Sequence, residues 1–382
     1  MDDKTTAQAE MLANRLQKRF RHLRKWARRC GIDAFRLYDN DIPEIPLVLD
    51  WYGDETAPGA AISGALYKRP YEKDEAEEER WLEAMADAAA QSMALDRGNI
   101  IIKRRERQRG DAAQYEKIAD KGLVREAREG KLKFRVNLSD YLDTGLFLDR
   151  RAMRRMIGID AKDKRVLNLF CYTAAFSVYA AAGGAASTDS VDLSNTYLAW
   201  ARDNFALNGF DAEICNTESN TKCNTKNSTT NQHEPRRTEE EYRNTGSCGL
   251  CSSWSNNNHR LIRADVGTFL RAAAEERRRW DSIIVDPPAF SNSTMARADF
   301  DLRRDYATLL GDCLALLSPG GKLWFSASAR SFRTGAAELE MALQERFPRV
   351  AVTDIGGKLA DEDFKGRRMP KAFAVEVIPC LR

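Results

Sequence analysis

Val166-Leu167-Asn168-Leu169-Phe170 runs directly into Cys171-Tyr172-Thr173-Ala174-Ala175-Phe176-Ser177. A short apolar run, then small residues opening a helix, reads as a buried strand turning into the helix that covers it. Further apolar strands follow at Ser187 to Val191, Arg260 to Ala264, Ser282 to Val285, Lys322 to Phe325, Val350 to Asp354 and Ala372 to Ile378, with helical stretches filling the intervals. That alternation predicts an α/β fold: a Rossmann-like, doubly wound, seven-stranded, mostly parallel sheet covering 141–382. In such sheets ligands bind at the carboxyl edge, where the first turn lies.

The turn limits what can bind there. A GxGxxG turn lets bare backbone approach a pyrophosphate, whereas Tyr172, Thr173 and Ala174 carry side chains at that place. The strand ends and turn, Asn168, Phe170, Tyr172, Thr173 and Ala174, therefore suit a nucleoside cofactor without phosphates. Asp192, closing Ser190-Val191-Asp192 before Leu193, can accept from both ribose hydroxyls. Asp265, closing Arg263-Ala264-Asp265 before Val266, can accept from an adenine amino group. Either acid could instead cap the helix that follows it. Together, and in this order, they point to S-adenosylmethionine.

The sharpest motif follows the fourth strand: Ile283-Ile284-Val285-Asp286-Pro287-Pro288-Ala289-Phe290-Ser291-Asn292-Ser293. Pro287 and Pro288 stiffen the loop, since each fixes its own φ and restricts its predecessor. Asp286 is thereby held beside a reacting base, with Phe290 as a stacking surface. Asp-Pro-Pro-x-aromatic after an apolar strand is a familiar signature of methyltransferases that act on nucleic acid.

Residues 1–140 read as a smaller α+β region facing RNA. Thr5 to Cys30 is predicted helical, with Leu12, Leu16, Phe20, Leu23 and Ala27 on one face and Arg15, Lys18, Arg19 and Lys25 among its cations. Strands are expected within Phe35 to Tyr52, a helix over Glu72 to Leu95, and a strand through Phe134, Val136 and Leu138. A second basic run, Lys103 to Gly110, contains Arg105 and Arg107, and Arg330 and Arg333 follow the fifth strand. Clustered cations of this kind can meet a phosphate backbone, although the net charge of +3 identifies no partner by itself.

Of the 382 residues, 43% are hydrophobic, and no apolar run approaches the roughly 18 residues of a membrane helix. Nothing at Met1-Asp2-Asp3-Lys4 reads as a secretion signal, so a cytoplasmic location is expected. The eight cysteines are irregularly spaced and should be reduced. Residues 215–258 are rich in Asn, Thr and Ser and predict a disordered insertion. Cys215, Cys223, His233 and Cys248-Gly249-Leu250-Cys251 lie in it, but one CxxC pair is weak support for zinc, and no metal is expected.

Taken with Asn14-Arg15-Leu16, Lys25-Trp26-Ala27, Tyr38-Asp39-Asn40-Asp41-Ile42-Pro43, Arg105-Glu106-Arg107-Gln108, Gln114-Tyr115-Glu116-Lys117 and the run Asn137 to Asp149, these motifs resemble one family over most of the chain. It is the C-terminal, 7-methylguanosine-forming half of the bacterial bifunctional large-subunit (23S) ribosomal RNA guanine methyltransferases. The resemblance implies an S-adenosylmethionine site lined by the first turn, Asp192, Asp265 and Asp286, with Phe147, Asp149 and Arg150 closing over it, and ribosomal RNA as partner. Ala174 and the 215–258 segment depart from the family pattern. The family's companion half and RNA-capturing module have no counterpart here, so RNA would be met through the basic N-terminal region or a separate partner.

Guanine N7 carries an in-plane lone pair, so its methylation needs alignment and no catalytic base. Methylation at cytosine C5 needs a cysteine nucleophile. Related cytosine enzymes carry Phe-Ser-Cys-Ser at the fifth strand's end, where Phe325-Ser326-Ala327-Ser328 stands here. Cys171 and Cys313 are not obvious replacements. An exocyclic amine, such as guanine N2, stays open as target; the N7 preference comes mainly from the resemblance. Readings from other classes are an NAD-dependent oxidoreductase, which the missing glycines oppose, and a noncatalytic RNA-binding protein, to which the altered turn at Ala174 leaves room.

Overall fold

The computed structural model describes residues 2–54, 59–67, 74–105, 119, 122–216, 258–291, 299–329 and 331–378. Helix α1 (Asp3–Cys30) starts at Asp2, whose carboxylate accepts from the Thr5 N–H at 2.7 Å, and stops at left-handed Gly31. It buries Leu12, Leu16, Leu23 and Ala27, the predicted stripe less Phe20, which is only partly buried.

Four strands follow in one sheet: β1 (Ala34–Asp39), β2 (Leu47–Tyr52), β3 (Ala61–Tyr67) and β4 (Ile100–Arg105), ordered β1-β2-β3-β4. β3 and β4 are parallel, so the chain crosses over through α2 (Glu75–Met93). One face of this sheet, with Leu47, Leu49, Trp51 and Ile62, packs on α1 and α2. Alternation sends Arg36, Asp50 and Ser63 to the other face, toward the rest of the molecule.

A hairpin, β5 (Val124–Glu129) and β6 (Leu132–Asn137), buries Ala127, Phe134 and Val136 in one cluster with residues of the larger domain's helices. It precedes the expected junction at 140, yet packs beyond it. After it come α3 (Arg151–Asp160), β7 (Arg165–Leu169), α4 (Ala175–Ala182), β8 (Ser187–Asp192), α5 (Asn195–Leu207), β9 (Glu213–Asn216), β10 (His259–Arg263), α6 (Val266–Glu275) and β11 (Trp280–Val285). The two-residue strands β12 (Phe290–Ser291) and β13 (Phe300–Asp301), then α7 (Leu302–Ala315), β14 (Leu317–Ala327), α8 (Ala336–Gln344), β15 (Val350–Asp354) and β16 (Lys371–Val377) complete the chain.

The large sheet runs β15-β16-β14-β11-β7-β8-β10-β9. Only β16 is antiparallel to its neighbours. The order turns outward in both directions from β7 and β11, which opens a crevice above their carboxyl ends. Eight strands stand where seven were expected. The extra one, β9, pairs in parallel with β10 and sets Cys215 opposite Ile262, so the first residues assigned to the insertion belong to the sheet edge. Residues 217–257, with Cys223, His233, Cys248 and Cys251, lie outside the described residues.

A buried ion network joins the two parts. Glu129 accepts from Arg154 Nη2 at 2.6 Å, Arg151 Nε at 3.2 Å and the Tyr179 hydroxyl at 3.0 Å. Arg151 also reaches Asp363 and the Ala34 carbonyl. Burial works against the Glu129 charge, but the two guanidinium groups more than offset it, and its pKa is lowered.

Candidate active site

The crevice is built from the ends of β7, β8, β10, β11 and β14. After β7, Phe170, Tyr172 and Ala174 all take left-handed φ, at 54°, 53° and 56°. Glycine would accept this freely, and each L-residue is strained by it. The turn's N–H groups face β8, where the Cys171 N–H meets the Val191 carbonyl at 3.0 Å. The Tyr172 N–H meets Asp192 Oδ2 at 2.9 Å and the Ser194 N–H meets Oδ1 at 2.9 Å. Burial pushes the Asp192 carboxyl up to about 6, against the lowering effect of N–H bonds from Ser194, Tyr172 and Leu193.

The other residues of the expected cofactor set differ in their placement. Asn168 is buried beneath the turn and donates to Ser177 Oγ at 2.9 Å; it holds the turn rather than facing the crevice. Thr173 is buried, its hydroxyl donating to the Gly145 carbonyl at 2.6 Å. Asp265 caps α6, its Oδ1 accepting from the Thr268 N–H and hydroxyl at 2.9 Å each, with Val266 buried behind it. Leu193 follows Asp192, half-buried. Phe147 is 41% exposed and its ring lies 5.3 Å from that of Tyr172. These features suit S-adenosylmethionine: a ribose acceptor in Asp192, aromatic rings beside it, and side chains where a pyrophosphate would need bare backbone.

Asp286, at the end of β11, is the most strongly fixed group. Arg150 grips it in a fork, Nε to Oδ2 at 3.0 Å and Nη2 to Oδ1 at 3.1 Å, and Ser326 Oγ donates to Oδ1 at 2.6 Å. Arg150 is 2% exposed and also bonds Asp149 and Ser328. Burial disfavours its charge, but the Asp286 and Asp149 carboxylates raise its pKa beyond the ordinary value. The resemblance implies Asp149 and Arg150 in the site, but not the bonds of Ser326 to Asp286 and of Arg150 to Ser328. Their signal was the pair of serines at the end of the fifth strand, here β14.

Pro287 is buried, Pro288 half-buried, and Phe290 is 37% exposed. β12 pairs with β13 and so keeps Phe290 at the rim. Asn292, Ser293, Arg107 and Arg330 lie outside the described residues. Of the expected RNA contacts, Lys25 and Arg333 are exposed. Arg105 is tied to Asp143 at 3.1 Å, and Arg15 to Asp41 at 2.6 Å. Arg19 is half-buried and donates to the Asp363 carbonyl at 3.1 Å. Among the described residues, no helix is long and apolar enough to cross a membrane, and no cluster of three or more His, Cys, Asp or Glu could hold a metal.

The model of the S-adenosylmethionine-dependent methyltransferase family matches residues 52–218. The ribosomal RNA large subunit methyltransferase K of Neisseria meningitidis serogroup B is 39% identical over 363 residues, 95% of this chain and 86% of that protein. The large subunit methyltransferase K/L proteins of Stutzerimonas stutzeri and Pseudomonas aeruginosa are 41% and 40% identical over 95% and 96% of this chain. The chain spans only 41% and 42% of their length. In fold it is similar to a Streptococcus mutans protein described as an S-adenosylmethionine-dependent methyltransferase. That likeness has a TM-score of 0.63 and 22% identity, over 97% of this chain and 81% of the other.

Proposed function

From the premise that this chain belongs to the large-subunit ribosomal RNA methyltransferase K family, we propose that it methylates N7 of a guanine in large-subunit ribosomal RNA. S-adenosylmethionine supplies the electrophilic methyl group. On this reading Asp192, Tyr172, Phe147 and Asp265 hold the donor, and Asp286 to Phe290 position the accepting base. Work on ribosomal RNA also fits the cytoplasm.

The observation that carries the choice of atom is the commitment of Asp286. Both carboxylate oxygens are engaged by Arg150 and Ser326, so the group positions and cannot readily remove a proton. An exocyclic amine must shed a proton on methylation, whereas N7 attacks with an in-plane lone pair and loses none. Cytosine C5 would need a thiolate. Cys171 and Cys313 are both buried, and burial raises the pKa of each thiol.

Ribosomal RNA transcribed with 7-deazaguanosine, which has carbon at the N7 position, distinguishes the targets. It should accept no methyl group, while a transcript made with ordinary guanosine accepts one. Equal labelling of the two would transfer the assignment to N2 or another base.

A further inference from the structure

A cleft of about 640 Å³ runs from the small sheet across Phe147 and Asp149 to Ser328, just past β14. Every carboxylate that lines it is already engaged by an arginine: Asp50 by Arg36, Asp143 by Arg105 and Asp149 by Arg150. Two further cations, Arg368 and Lys371, line the same cleft. Among the described residues neither side chain has a hydrogen-bond or ion-pair partner. Both belong to the run Lys365-Gly366-Arg367-Arg368-Met369-Pro370-Lys371, which leads into β16. A loose, solvated run of cations would be ordinary, but this one is pinned along its length. Arg367 donates to the Asp39 carbonyl at 3.0 Å and pairs with Asp41, so it is tied to the end of β1. Met369 packs against two apolar clusters, and Lys371 is the register partner of Ala327 on β14. Ser328, the next residue, bonds Arg150, which grips Asp286. Arg368 is exposed and Lys371 half-buried, both held beside the reacting centre with no protein anion to offset them.

Resting on the ribosomal RNA reading above, we propose that Arg368 and Lys371 hold backbone phosphates of a single-stranded RNA segment drawn into this cleft beside the target nucleotide. Charge complementarity names the ligand. An RNA strand brings a negative charge with each nucleotide; the Arg368 fork can take two oxygens of one phosphate, and the Lys371 ammonium serves another as a point charge. Size names the form. A volume of about 640 Å³ lies in the range of pockets that enclose one small ligand, so a nucleotide drawn out of its stack enters and a duplex does not. Phe147, 41% exposed and lining the cleft, offers the base a stacking face. Phosphate contacts set position and not sequence, so this site brings the strand into place and leaves the choice of base to other groups.

The test uses the full chain loaded with S-adenosylhomocysteine. Fluorescence anisotropy follows its binding of a labelled, unstructured single-stranded RNA oligonucleotide, and of the same strand annealed to its complement, over a range of salt concentrations. Wild-type protein should prefer the single strand. Arg368→Gln with Lys371→Gln should weaken that binding roughly tenfold at low salt and make its logarithmic salt dependence shallower by about 1.4, for two phosphate contacts at about 0.7 each. S-adenosylhomocysteine affinity and Tm should stay level, and Arg368→Lys with Lys371→Arg should restore the slope, neither of which a merely structural role would give. An unaltered slope in the glutamine variant, or a wild-type preference for the duplex, overturns the proposal. Acetylation of wild-type Lys371 by an N-hydroxysuccinimide ester, read by mass spectrometry, decides the matter without a folded variant: the single strand should protect Lys371, and unchanged acetylation overturns the site. The underlying reading fails differently. Wild-type protein that binds neither free ribosomal RNA nor precursor particles contradicts both, while ribosomal RNA binding with an unaltered slope in the variant overturns the phosphate site alone.

Discussion

Asp192 couples the site to pH. Its folded pKa is raised by burial from 3.8 to about 6, so between those values the folded chain holds a proton that the unfolded chain has released. The stability from this group is therefore complete below about 3.8 and lost as pH rises through about 6. Asp192→Asn should raise stability at pH 7, on the order of 1 to 3 kcal/mol in urea titration. Binding runs the other way, because only the carboxylate offers all its lone pairs to ribose hydroxyls. Affinity for S-adenosylmethionine, by calorimetry, should weaken from pH 7 to pH 5 in the wild type and stay level in the variant. A level profile in the wild type would remove Asp192 from the ribose.

At the scale of elements, the β7 turn is strained where Ala174, fully buried, holds φ 56°. Ala174→Gly should relieve that strain and raise stability by about 0.5 to 1 kcal/mol, measured by thermal melting with donor binding intact. Ala174→Val adds β-branching at the same φ and should lose donor binding. Glu129→Gln should cost about 3 to 5 kcal/mol in urea titration, since it leaves Arg151 and Arg154 buried beside a neutral group. The main strands and the first turn were legible because short apolar runs alternate with helical ones. β3 and β9 were not: Ala61–Tyr67 is broken by Ser63 and Gly64, and β9 adjoins a polar segment that masks its edge. Ion pairs such as Arg150 with Asp286, or Arg151 with Asp363, join segments far apart in the chain, which local patterning does not encode. Phe332 shows the converse. Its neighbourhood was read as a surface for RNA, yet its ring is 1% exposed and packs edge-on against Phe325 and Tyr306.

For the whole molecule, the small sheet, the segment before α3 and the end of β14 together line one cleft, while α1 covers the small sheet's other face. The exposed cations Lys18 and Lys25 stand apart from the chemistry. Lys18→Glu with Lys25→Glu should weaken ribosomal RNA binding and flatten its salt dependence, with affinity for S-adenosylmethionine unchanged. Unaltered RNA binding would move the footprint elsewhere. On the proposed function, S-adenosylmethionine methylates guanine N7 while Asp286 positions the base and removes no proton. The most direct measurement is to incubate the protein with labelled S-adenosylmethionine and unmodified large-subunit ribosomal RNA, digest the RNA and identify the labelled nucleoside by mass. 7-Methylguanosine is the expected product; N2-methylguanosine, 5-methylcytidine or the absence of label from both free RNA and precursor particles would overturn the N7 assignment.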